Sequence, residues 1–319
     1  MPQRVAILGT RYPDLSVEQT ILGGLDVELV AGDGADDAQI VEVAGTAAVI
    51  LAGSRPRFTA QVLERLSCRA IVRYGVGVDS VDVAAASRLG ILVASVPDYG
   101  TEAVAVHTVA LILAAVRKLP QADHNAKSGR WGFADLRPLH LPSELTVGVV
   151  GFGRIGQAVA RMLRGIGFDL IVHDPLTSAG DFRAAESLEE LLEVSDIITL
   201  HTPGAPDGTP LLDRNALLLL RPGSIVVNTA RGSLVDLTAL VEGLQDGRPA
   251  AACLDVFPEE PPDLSQFSPV MDSVILTPHV AWYTEESQLD LRRKGAEEAA
   301  RVLRGEELRN PVVHQGGTT

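Results

Sequence analysis

The 319-residue chain has only two cysteines, Cys68 and Cys253, far apart and in no metal-type spacing. That excludes a disulfide framework and a cysteine-built metal site, and it fits a reducing, cytoplasmic compartment. Lysine occurs only at positions 118, 127 and 294, which makes Schiff-base chemistry a poor choice. Basic charge is scarce overall: the formal balance is −14 at pH 7, which argues against a nucleic-acid partner. A small anionic substrate must then be held by individually placed arginines. The most apolar run, Val104 to Val116, is interrupted by His107 and is shorter than the roughly 20 residues that cross a bilayer. It reads as a buried helix, not a membrane span. No basic segment followed by an apolar stretch opens the chain, so no secretory signal is expected.

What the chain does have is alternation. Its first hundred residues contain the short β-rich runs RVAIL, VELV, AAVILA, AIVRY and ILVAS, separated by helical patterns. Thr101 through Leu119 reads as one long buried helix, and HNAKSGRWGFADLRPLHLPSE after it as an irregular arm. A second alternation begins at Leu145 with TVGVVGFG and continues through DLIVHDP, DIITLHTP, SIVVNT, AACLDV and VILTP. Glu285 to Leu303 reads as a helix charged on one face, and NPVV as a short closing strand. The fold class expected is α/β with two doubly wound parallel sheets. A Rossmann dinucleotide-binding domain, 99–286, is inserted into a flavodoxin-like domain, 1–98 plus 287–319, because the closing helix returns to the first sheet.

Gly151-Phe152-Gly153-Arg154-Ile155-Gly156 follows an apolar strand and opens a helix. Alone, such a pattern is weak and often only a turn. Here Asp174 ends the next strand, close to the spacing expected of a ribose-binding carboxylate. Glycines let the backbone approach a pyrophosphate, and the helix start offers unpaired amides and positive dipole. The Asp174 carboxylate accepts hydrogen bonds from ribose hydroxyls and repels a 2′-phosphate, so NAD is expected over NADP. A second glycine stretch, Gly75-Val76-Gly77, is either a plain turn or a pair of amides facing a substrate carboxylate.

Three ionisable residues follow strands of the second alternation: Arg231 in VNTARGSLVD, Glu260 in LDVFPEEPP and His279 in LTPHVAW. Each has a plain structural reading. Arg231 could pair with Asp236, Glu260 could be a solvated loop acid, and His279 could be a satisfied core histidine. Trp282 stands three residues beyond His279 in a chain with two tryptophans. It either walls a pocket for an apolar substrate side chain, excluding a phosphate, or packs as core.

Taken in order, RYGVGVDSVD, GFGRIG, VNTARGSLVD, LDVFPEEP and TPH resemble the D-isomer-specific 2-hydroxyacid dehydrogenase family, from about Ile71 to Pro311. PHVAWYTEES and the ELRNPVV tail most resemble its C-terminal-binding-protein branch, which combines this fold with transcriptional repression. The resemblance implies a catalytic set of Arg231, Glu260 and His279. Arg231 would grip the keto acid with its planar fork, His279 would act as general acid, and Glu260 would hold the imidazole and keep it protonated. Arg73, with the amides of Val76 and Gly77, would anchor the substrate carboxylate. The cofactor NAD would be held by Val76, the 151–156 loop, Asp174, Thr202, Pro203, Thr229, Ala230, Arg231, Asp255 and His279. A homodimer acting on a small 2-keto or 2-hydroxy acid is implied, without membrane or nucleic-acid partners and without a metal. Ala103 and Val106 depart from the acidic residues usual in this branch, and LPSELTVG lacks the usual glycine ahead of its strand.

An NAD-dependent reductase is thus the leading expectation. Its rival is an NAD(H)-sensing adaptor of the same fold, disfavoured because a sensor needs no acid–base pair. Formate dehydrogenase is disfavoured because that relative has glutamine where Glu260 stands. Phosphoglycerate dehydrogenase with a regulatory domain is disfavoured because no residues remain for one.

Overall fold

The computed structural model describes residues 2–10, 12, 14–205 and 207–312. The chain divides into two compact units, one comprising Met1–Gly100 and Thr284–Thr319, the other Thr101–Tyr283. The breaks fall a few residues from the expected ones, because Thr101 already opens a helix and Thr284 caps one.

The first unit is built on five strands: β1 (Gln3–Leu8), β2 (Val27–Gly32), β3 (Val49–Ala52), β4 (Ala70–Arg73) and β5 (Leu92–Ala94). Their order is β2-β1-β3-β4-β5, and every pairing is parallel. Strands covered by helices on both faces must be apolar throughout, and all four residues of β3 are buried. Asp36, Thr59 and Asp82 each accept an amide of the first helical turn that follows them, which fixes where those helices start. The expected closing strand reduces to a single antiparallel bridge between Pro311 and Ala94; Val313, its last residue, lies outside the described residues.

The helix Glu285–Arg304 packs on the helix Ser16–Leu22 and on β3 and β4. Gly295 lies against the Tyr74 ring, where any side chain would collide. Next to it Arg292, 6% exposed, grips the wholly buried Glu18 through two bonds of 2.6 and 3.0 Å. The Tyr74 hydroxyl donates to the same carboxylate at 2.9 Å, and the Arg292 guanidinium lies over the Tyr12 ring. This cluster ties three distant segments of the first unit together.

The second unit holds seven strands: β6 (Thr146–Val150), β7 (Asp169–His173), β8 (Arg183–Ala184), β9 (Ile197–Leu200), β10 (Ile225–Asn228), β11 (Ala251–Leu254) and β12 (Val274–Leu276). Their order is β12-β11-β10-β9-β6-β7-β8. The order reverses at β6, the topological switch where such sheets bind nucleotides. The two-residue β8 has no counterpart in the sequence reading; its residues are exposed, and no apolar run marks it.

One expected element is different. The helix predicted for 101–119 ends at Val116, and a second helix, Leu119–Lys127, leaves it at 58°. Lys118 takes a left-handed conformation, φ 48°, and Pro120 sits at the start of the new helix. The chain therefore turns where the sequence reads continuous, and 124–127 of the expected arm is helical. Among the described residues no single helix is long and apolar enough to cross a membrane.

Because the wholly buried Glu18 would lose its cation and both guanidinium bonds, keeping the Tyr74 hydroxyl, Arg292→Met should lower the first unit's stability by about 3–5 kcal/mol. Adding Glu18→Gln should recover part of the loss. Urea unfolding followed by circular dichroism checks this; an unchanged midpoint for the single variant would show that the pair is dispensable.

Candidate active site

The turn after β6 is shaped by glycines for two different reasons. Gly151 has φ 88°, and a Cβ there would lie 2.6 Å from the His201 carbonyl oxygen. Gly156 lies against the Gly151 carbonyl just as closely, so both are needed for strand and helix to meet. Gly153 is the opposite case. It is the N-cap of the helix Arg154–Ile166, with no side-chain cap, and a Cβ there would point into open space. The first helical amides thus face an uncovered cradle, which suits a pyrophosphate.

Asp174, just past β7, is tied to the same turn. Its carboxylate accepts the Phe152 amide at 2.6 Å and the amides of Leu176 and Thr177 at 2.8 and 2.9 Å. Burial alone would raise its pKa, but those amide bonds hold it below the usual carboxylate range. It is an anion fixed beside the pyrophosphate cradle. Phe152 contributes its amide to this link while its ring is buried edge-on against Phe182. Thr202 and Pro203 follow β9.

Arg231 follows β10 in a turn pinned by Asn228. The buried Asn228 side-chain amide accepts from Ala230 N at 3.0 Å and donates to Arg231 O at 2.8 Å. Asp236, the alternative partner considered for Arg231, caps the helix Leu237–Gln245 by accepting the Ala239 amide. Gly232 touches the backbone of Phe257 and Pro258 so closely that a side chain would collide. That contact brings the Arg231 turn against the loop carrying Glu260.

Glu260 accepts the Phe257 amide at 3.1 Å on one oxygen and meets His279 Nδ1 at 2.7 Å on the other. Burial would raise this carboxyl; the hydrogen bond and charge of His279, the Phe257 amide and the charge of Arg231 outweigh it and hold it low. An ionised carboxylate only accepts, so the His279 proton in this bond sits on Nδ1, and Nε2 is the nitrogen left for a ligand. His279 has φ 53°, a left-handed conformation rare outside glycine and a recurring mark of functional turns. Trp282 folds back over this turn: its Nε1 donates to His279 O at 3.1 Å and its ring stands edge-on to Tyr283.

Asp255, expected to touch the cofactor, is wholly buried beneath the His279 turn. Its carboxylate accepts the Thr277 hydroxyl at 2.6 Å and the amides of Val280 and Ala281 at 2.9 and 3.0 Å. It serves the turn around His279. Asn228, Gly232 and Thr277 are the site residues that the sequence reading passed over. The glycine and asparagine stand inside the VNTARGS motif, where they were legible as turn formers but not as spacers between loops.

The structure therefore gathers Arg231, Glu260, His279 and Trp282 within one unit, on the sheet that also carries the dinucleotide turn. Arg73, Val76 and Gly77 belong to the first unit. The Arg73 guanidinium donates to the Tyr74 carbonyl and lies over Gly75, whose φ of 148° and missing side chain leave room for it. A concavity of about 560 Å³ in that unit, lined by Gln3, Arg4, Glu28 and Arg69, opens at the other ends of the strands, away from Arg73. Among the described residues no group of three or more His, Cys, Asp and Glu could hold a metal.

Residues 109–281 match the family described as D-isomer specific 2-hydroxyacid dehydrogenase, NAD binding domain. The D-3-phosphoglycerate dehydrogenase of Methanocaldococcus jannaschii is 37% identical over 291 residues, which is 89% of this chain and 55% of that protein. The chain spans about half the length of the curated relatives it matches. Among solved structures, the TT0316 protein of Thermus thermophilus superimposes with a TM-score of 0.88 at 35% identity, covering 98% of this chain and 100% of that one. D-lactate dehydrogenase from Aquifex aeolicus, complexed with NAD and lactic acid, gives 0.87 at 26% identity, covering 98% and 100%. The second unit is accordingly an NAD-binding domain.

With Asp174 fixed as an anion, NADH should bind at least about tenfold more tightly than NADPH, a difference of roughly 1.4 kcal/mol. Asp174→Ala should narrow that gap. Fluorescence titration with each nucleotide measures it, and equal affinities for the unaltered protein would remove Asp174 from the role.

Proposed function

The chain belongs to the D-isomer-specific 2-hydroxyacid dehydrogenase family, and we propose that it interconverts a small 2-keto acid and its D-2-hydroxy acid with NAD. The observation that carries this is the 2.7 Å contact between His279 Nδ1 and Glu260, with the charge of Arg231 acting on the same carboxylate. When bound, the nicotinamide supplies or takes the hydride at C2. His279 Nε2 gives a proton to the carbonyl oxygen in reduction and removes it in oxidation. Glu260 holds the ring and offsets the positive charge it carries before transfer. Arg231 grips the carbonyl and carboxylate of the substrate. In the first unit we assign Arg73 and the amides of Val76 and Gly77 to the substrate carboxylate. We assign the cofactor contacts to Val76, the 151–156 loop, Asp174, Thr202, Pro203, Thr229, Ala230 and Asp255, with Arg231 and His279 at the nicotinamide end.

We assign an apolar substrate side chain, because Trp282 presents a flat ring beside the His279 turn. The phosphorylated substrate named for the phosphoglycerate dehydrogenases is the competing choice. A homodimer is proposed as well: Trp131 is 92% exposed and Phe133 63%, apolar surface that a second copy would cover. The free, buried Cys68 and Cys253 support a reducing compartment.

NADH oxidation against 2-keto acids of graded size and charge, 3-phosphohydroxypyruvate included, tests the reading. Turnover of none of them would end it. Trp282→Ala should raise KM for apolar keto acids by about 1–3 kcal/mol of lost contact with little change for glyoxylate; equal loss on all substrates would make Trp282 structural.

Burial would raise the Glu260 carboxyl, but the His279 and Phe257 hydrogen bonds and the Arg231 charge hold it below its usual range, so an anion faces the His279 ring at neutral pH. Glu260→Gln should shift the alkaline fall of keto-acid reduction to lower pH, and His279→Ala should abolish reduction with NADH binding retained. An unmoved alkaline limb in Glu260→Gln would mean that another group sets it.

A further inference from the structure

The helix Thr101–Val116 places two adjacent polar side chains where the proposed reaction needs none in contact with substrate. His107 Nε2 lies 3.2 Å from Thr277 Oγ1, and Thr108 Oγ1 lies 2.8 Å from Thr229 Oγ1. Thr277 leads into the His279 turn and Thr229 into the Arg231 turn. We propose that His107 and Thr108 are positioning residues that fix the two catalytic turns against one helix and so set the spacing between His279 and Arg231. The proposal rests on the reading in the preceding subsection, since it assigns these turns their work.

The proton inventory makes both contacts directional. The Thr277 hydroxyl gives its only proton to Asp255 at 2.6 Å, so toward His107 it can only accept. His107 therefore carries a proton on Nε2 and donates it. A directed chain results, from His107 through Thr277 to Asp255, whose carboxylate then collects the amides of Val280 and Ala281. Those amides follow His279 at its left-handed backbone. The Thr108 hydroxyl likewise spends its proton on Val104 O at 2.8 Å, so Thr229 must be the donor between the two threonines. Both are buried, and Asn228 carries the constraint on to Ala230 and Arg231.

Helix geometry explains why neighbours do this. Successive side chains diverge by about 100° around the axis, and β10 and β12 are separated in the sheet by β11 alone. One helical step thus spans the gap between the ends of these two strands. His107 is half-buried, while Thr108 has no exposure. A half-buried histidine in this largely apolar helix is costly unless its polar edge is used, and Thr277 uses it.

The test compares His107→Leu, which removes the donor, with His107→Gln, which keeps one, and Thr108→Val with Thr108→Ser. His107→Leu should lower kcat on the order of 100-fold while NADH affinity stays within about twofold and the melting temperature is unchanged; Gln should restore most of it. Thr108→Val should act chiefly on KM for the keto acid, through Arg231, and Ser should restore it. Independently of turnover, the ring-proton resonances of His279, identified by their loss in His279→Ala, should move in His107→Leu and return in His107→Gln. Unmoved resonances in folded His107→Leu overturn the proposal, as does a Leu variant with full kcat. Should His107→Leu fail to fold, a folded His107→Gln with the defect that Leu was to show has the same force. Absence of all keto-acid turnover in the unaltered protein would instead sink the functional reading, leaving the resonance shift to decide positioning.

Discussion

Asp255 has no solvent exposure, yet three donors from the stretch 277–281 end on its carboxylate, and its backbone oxygen takes the His279 amide at 2.8 Å. A carboxylate buried without partners costs several kcal/mol. The turn satisfies it only by wrapping around it, and His279 is thereby held at a backbone geometry that a free histidine avoids. From that geometry follows the ring orientation that meets Glu260, and from the Glu260 contact follows the nitrogen left for a substrate. The chemistry proposed for His279 is thus set one layer beneath it.

The same logic operates at the other end of the site. Gly151, Gly156 and Gly232 are places where two backbones touch and a side chain would not fit, whereas Gly153 opens space at a helix start. The first three bring loops together and the last leaves room for a ligand. Asp174 joins the two tasks, because the amide that holds it belongs to the turn that would cradle the pyrophosphate. Asp174 and Arg231 stand just past strand ends, and Glu260 in the irregular stretch 255–263 is fixed by the Phe257 amide and His279.

Much of this was legible in the sequence, and the reason is periodicity. Apolar runs such as VILA and IITL announce buried parallel strands, and GFGRIG with Asp174 announces a nucleotide turn because each residue answers a local backbone demand. What stayed hidden depends on partners far away in the chain. Glu18 and Arg292 are separated by 274 positions, and neither has a neighbour that betrays the other. Asp255 reads from the sequence as a cofactor contact, and nothing local shows that the turn at 277–281 closes over it. The bend at Lys118 escaped because the apolar pattern runs through it, while a left-handed residue and a proline at 120 redirect the backbone. His107 read only as a blemish in a buried helix; its use emerges once Thr277 is placed beside it.

Asp255 and Glu260 together are expected to fix His279 with a proton on Nδ1 and with Nε2 directed to the substrate. Nitrogen-15 spectra of histidine-labelled protein, with His279 identified by substitution, read this directly. A protonated Nδ1 should be seen at every pH where keto acid is reduced, and that signature should be lost in Glu260→Gln. A neutral ring protonated on Nε2 alone, across the active pH range, would contradict it.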